Sequence, residues 1–149
     1  GADIYAKDEF KKLSDDLQAA LDQVTAKKYK EAKQALIKIK ADADALKETI
    51  PAKKEQAKNE ALAAQQEART ALDEAKALLE KAPKGKGTKA DIEAFTADLK
   101  GLEDSFPEIQ AAIDNGDYFG AKDRAAAIKD KANSISEQIK QAIEKVKKK

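Results

Sequence analysis

The positions Tyr29, Ala32, Leu36, Ile39, Ala43, Leu46 and Ile50 step by alternating three and four residues without a fault. Only a helix gathers such a row onto one face, because a strand would scatter it across both. The pattern recurs along the chain. Phe10, Leu13, Leu17, Ala20 and Val24 predict a helix over about residues 6 to 25, and Tyr29 to Ile50 a second one after a short break at Ala26, Lys27 and Lys28. Pro51 removes a backbone donor and disfavours helical geometry at Ile50, so it ends this helix or kinks it.

Beyond Pro51 the seam turns small. Ala57, Ala61, Ala64, Ala68, Ala71, Ala75, Leu78 and Ala82 keep the spacing, with Leu62, Leu72 and Leu79 widening it, which predicts a connecting helix over about 52–82 that a neighbour can approach closely. Pro83, Lys84, Gly85, Lys86 and Gly87 read as a flexible loop, and Thr88 with Asp91 has the spacing of a capping box. Ile92, Phe95, Leu99, Leu102, Phe106, Ile109 and Ile113 form the next seam. It keeps phase across Pro107, so a kink is expected there; the alternative is a restart capped by Ser105 with Glu108. Asn115 and Gly116 supply a left-handed residue that closes a helix, and Asp117 can cap the last one, which carries Tyr118, Ala121, Ala125, Ile128, Ala132, Ile135, Ile139 and Val146.

A duplication lies within these seams. A shift of 89 positions, which lays Tyr29 on Tyr118, also lays Ala32 on Ala121, Lys33 on Lys122, Lys40 on Lys129, Ala43 on Ala132 and Ile50 on Ile139 without a gap. The same shift matches Phe10 to Leu99, Leu13 to Leu102, Leu17 to Phe106 and Val24 to Ile113. The fold expected is therefore all-α: an elongated antiparallel bundle of four to five long helices, in which repeats over about 6–50 and 92–147 are joined by the alanine-rich helix. With 149 residues, one helical-bundle domain over 1–149 with one core is expected.

Composition narrows the chemistry. The chain has no His, Cys or Met, so zinc sites of imidazole and thiolate, Cys-anchored haem and His-dependent triads are all ruled out. No enzymatic activity, cofactor or metal is expected. The 29 basic residues nearly balance the 28 acidic ones and interleave with them, which leaves no one-signed face for nucleic acid. The exception is the tail Lys145, Lys147, Lys148 and Lys149, which suits a solvated helix C-terminus; a membrane or nucleic-acid contact is the alternative. Close acidic pairs such as Asp15 with Asp16 and Asp42 with Asp44 follow from that interleaving, and Asp114 to Asp117 lacks the glycine and glutamate spacing of a calcium loop. Tyr29 and Tyr118 are expected to pack across their turns. Phe119 and Tyr5 stand off the seams and are the candidates for partner contact; for Phe119 the competing expectation is burial under the connecting helix.

The segment Tyr5-Ala6-Lys7-Asp8-Glu9-Phe10, with Leu13, Leu17 and Ala20, then Lys28-Tyr29-Lys30-Glu31-Ala32 and the alanines Ala35, Ala41, Ala43 and Ala45, resembles the DUF4398-type helical hairpin of bacterial cell-envelope lipoproteins. Gly116-Asp117-Tyr118 and Ala121 of the second copy look closer still. The resemblance implies an exported, periplasmic or cell-envelope protein and no activity. Because the chain has no Met, an N-terminal segment is expected to have been removed before Gly1, through which a membrane attachment could have come. The leading expectation is a structural spacer or interaction scaffold with a protein or envelope component as partner. An apolar-ligand or lipid-binding bundle and a self-assembling helical protein are the alternatives.

Overall fold

The computed structural model describes residues 1–83 and 89–147, so the loop and capping box expected around Lys84 to Thr88, and the last two tail lysines, lie outside the described residues. The chain is all-helical there: α1 Ala2–Tyr5, α2 Lys7–Thr25, α3 Tyr29–Glu80, α4 Lys89–Asp104, α5 Phe106–Asp114 and α6 Tyr118–Lys147. It divides into two compact units, Gly1–Ala57 and Lys58–Lys149.

Both prolines behave differently from the simplest reading. α3 continues through Pro51, so the expected connecting helix is the later part of one 52-residue element. The Lys47 carbonyl loses its helical donor there, while the Thr49 hydroxyl donates to the Leu46 carbonyl at 2.7 Å. At Pro107 the chain restarts instead of kinking: α4 ends at Asp104 and α5 begins at Phe106, with Pro107 in its first turn. A missing N–H is harmless at that place, because first-turn donors have no partner within the helix. Ser105 does not cap with its side chain; its hydroxyl donates to the Gly101 carbonyl at 2.9 Å.

The first unit is a hairpin of α2 against the first part of α3, preceded by the single turn α1. Its buried side chains are Ala6, Ala20, Ala32 and Ala57. Lys53 on α3 pairs with Glu9 on α2 and holds that carboxyl below its ordinary range.

The second unit is a three-helix bundle. The later part of α3 lies beside α6, with Lys122 paired to Glu60 at 2.6 Å and Lys129 to Glu67 at 2.7 Å. Both pairs span 62 positions, so the two helices run in the same direction. Toward α4 and α5 the direction reverses, since Lys76 meets Glu103 at 2.8 Å while Gln65 meets Gln110 at 3.2 Å. Hydrogen bonds from Lys129 and Lys76 depress the carboxyls of Glu67 and Glu103, so their contribution is present above the ordinary carboxylate range and is lost as pH falls through the depressed values. Between the helices Ala61, Ala68, Leu72 and Ala75 of α3 pack on Leu99, Phe106, Ile109, Ala125, Ala132 and Ile139. Length led to the expectation of one core over the whole chain; the hydrophobic cluster formed by the described residues belongs to the second unit.

The spacing of 89 recurs in the backbone. α2 ends at Thr25 and α5 at Asp114, while α3 begins at Tyr29 and α6 at Tyr118, each pair 89 apart. The turns close alike. Lys27 N–H donates to Val24 O and Lys28 N–H to Gln23 O, as Gly116 N–H does to Ile113 O and Asp117 N–H to Ala112 O. These crossed bonds close both helices through one left-handed residue, Lys27 at φ 59° and Gly116 at φ 77°. Asp117 then caps α6 as expected, accepting from the Gly120 N–H at 3.0 Å. A lysine side chain is strained where glycine is not. Lys27→Gly is therefore expected to raise the stability of the first unit by about 1 kcal/mol in urea unfolding, and a loss would show that the turn does not hold this geometry.

Candidate functional site

The two hairpins share a pattern and differ in what lies over it. In the second unit α3 covers the seam of α4, α5 and α6. In the first, the matching seam is open: Phe10 is 45% exposed where Leu99 is 2%, Leu17 is 42% where Phe106 is 5%, and Val24 is 39% where Ile113 is 7%. Ala43 is exposed at the place of the fully buried Ala132.

These side chains bound a groove of about 540 Å³ between α2 and α3, lined by Phe10, Leu13, Leu17, Ile39, Ala43, Leu46, Ile50 and Pro51, with Gly1 and Ala2 at one end. Large apolar side chains are worth about 1.5–3 kcal/mol each when fully buried, so a row of them left half in water is a strong drive for a cover. Compared with family models, curated proteins and solved structures, the chain matches none. What the groove can do must therefore be read from its own residues.

On α3, Lys33, Lys40 and Lys47 stand exposed in one row at intervals of seven, and Lys47 lines the groove. Lys40 lies 3.6 Å from Asp44, an exposed pair on the same helix. Near the turn, Gln23 Oε1 is buried without a hydrogen-bond donor at the position that the second repeat fills with Ala112. Such an orphan acceptor costs about 1–3 kcal/mol.

Other hollows are less suited to a partner. One of about 400 Å³ lies over the Lys76 and Glu103 pair, on core residues Leu79 and Leu99. Another of about 440 Å³ mixes Asp98, Ser105, Lys131 and Ser134 with Leu102 and Ile135. Among the described residues no group of three carboxylates could hold a metal ion, and no helix is long and apolar enough to cross a membrane.

The two candidates for partner contact fall in different units, and neither lines the groove. Phe119 is 45% exposed in the first turn of α6 beside Tyr118, and Tyr5 is half-buried at the end of α1. Tyr118 packs on the core as expected for a turn tyrosine, whereas Tyr29, expected to pack across its turn in the same way, is 63% exposed. Sequence reading passed over Phe10, Leu17 and the lysine row because seam residues are ordinarily core. The available signal was numerical: two repeated hairpins but one connecting helix to cover them.

Proposed function

We propose that the chain is a non-enzymatic interaction scaffold whose recognition surface is the open apolar face of the first hairpin. The observation that carries this reading is the contrast between Phe10, Leu17 and Val24, which are exposed, and their repeat partners, which are buried. A chain that repeats a seam and covers it once keeps the other copy available. The absence of His and Cys supports a binding role over catalysis. The cell envelope is its proposed address, on the resemblance of both hairpins to envelope lipoproteins.

A second reading is favoured by the groove itself, whose volume of about 540 Å³ and apolar lining suit a lipid chain or other apolar ligand. Photo-crosslinking in the native cell separates the two. A photoreactive residue at Leu17 is expected to give protein adducts, and the same residue at Asp15, an exposed position of α2 outside the groove lining, to give none. Adducts carrying a lipid mass, or equal adducts from both positions, would overturn the scaffold. Fractionation of the crosslinked cells tests the address.

A further inference from the structure

We infer that the groove of the first hairpin receives one α-helix of a partner polypeptide, parallel to the first part of α3, with an alanine seam and glutamates at intervals of seven facing Lys33, Lys40 and Lys47. This rests on the scaffold reading and names the partner's chemistry. The second repeat shows what such a seam accepts. Its cover is a helix whose small residues Ala61, Ala68 and Ala75 are fully buried, so that backbones approach closely over the larger side chains of the hairpin.

Charge sets the register. Glu60 and Glu67 of the cover pair with Lys122 and Lys129, and the shift of 89 places Lys33 and Lys40 at those positions in the first repeat. Lys47 adds a third lysine where the second repeat has Ser136, the residue 62 positions after Glu74 and so next in the register set by Glu60 and Glu67. The open edge of the first hairpin thus keeps, and extends, the cation row that in the second unit holds a glutamate row. Flanking rows of this kind select partner and direction in paired helices.

A second copy of the chain is a poorer occupant. Its Glu60 and Glu67 are already paired with Lys122 and Lys129 inside its second unit, and the corresponding positions of its own first hairpin are Lys7, Ser14 and Leu21 on α2 and the same three lysines on α3, so without unpacking that unit it brings no carboxylate row to meet them.

The probe is a fluorescently labelled peptide with the sequence of residues 57–80, titrated against the intact chain by anisotropy. Saturable one-to-one binding is expected, lost in Leu17→Asp, a change at a half-exposed position that leaves the hairpin helical by circular dichroism. A peptide with lysine in place of Glu60, Glu67 and Glu74 should bind roughly tenfold more weakly, and the triple variant Lys33→Glu, Lys40→Glu, Lys47→Glu should restore it. Absence of binding, or affinity indifferent to both reversals, would overturn the inference; if crosslinks from Leu17 to protein persist, the scaffold stands and its partner is not such a helix. Binding that survives Leu17→Asp would mean that the peptide displaces α3 in the second unit, and a dimer abolished by Leu17→Asp would make a second copy the occupant. Either result overturns the inference.

Discussion

Phe106→Ala is expected to destabilise the second unit by about 3–5 kcal/mol, while Leu17→Ala, at the matching position of the first repeat, costs less than about 1 kcal/mol. The two residues occupy the same place in the same motif, so local sequence predicts similar losses. Burial predicts otherwise. Phe106 is 5% exposed, packed in the cluster under α3, and has the Arg69 guanidinium 4.6 Å from its ring centre. Its truncation removes transfer energy, leaves a cavity among neighbours that cannot all collapse, and ends the cation–π contact. Leu17 borders an open groove, so water fills the space and the gain in helix propensity from alanine offsets part of the lost contact. Urea unfolding with hydrogen exchange resolved by unit measures both. A loss at Leu17 as large as that at Phe106 would show the first groove to be covered in solution.

That comparison marks where sequence reading succeeds and where it stops. The boundaries at Thr25, Tyr29, Asp114 and Tyr118 follow from seam phase and turn chemistry, and both are local: the same few residues that set the spacing also donate and accept the closing hydrogen bonds. Pro51 was ambiguous because its penalty is local while the gain that retains it is distributed over a long helix. Pro107 was misjudged because seam phase survives a one-residue restart; Ser105 keeps helical backbone angles, φ −87° and ψ −11°, so the apolar face carries on across the break.

The groove was illegible for a different reason. Phe10 and Leu99 belong to equally regular seams, and whether such a seam is core or surface depends on a third helix tens of residues away. Periodicity specifies a face to be covered; it does not say what covers it. The exposed aromatic residues chosen as contact candidates, Tyr5 and Phe119, were picked for breaking the pattern. The residues that form the site instead obey the pattern in a place where its usual outcome is missing.

Pro51→Ala is expected to strengthen α3 locally by about 3 kcal/mol, the cost of proline in a helix interior. α3 is helical on both sides of Pro51, so alanine needs no change of backbone path and supplies the N–H that the Lys47 carbonyl lacks. Two features favour a full gain: the position is exposed, so no packed neighbour must yield, and alanine has the highest helix propensity of any residue. The change should appear in amide exchange at residues 48–56, slowed roughly a hundredfold where exchange follows local opening. Unaltered exchange would mean that opening there is governed by fraying of the whole hairpin. Because Pro51 also borders the groove, with Ile50 and Gly1, its substitution tests the site as well. A groove that must adjust to its guest should bind the 57–80 peptide more weakly once this stretch of α3 is stiffened, and a preformed groove should bind it unchanged. The close match of the two hairpin turns, hydrogen bond for hydrogen bond, favours the preformed case, so slower exchange with undiminished peptide affinity is the combined result expected.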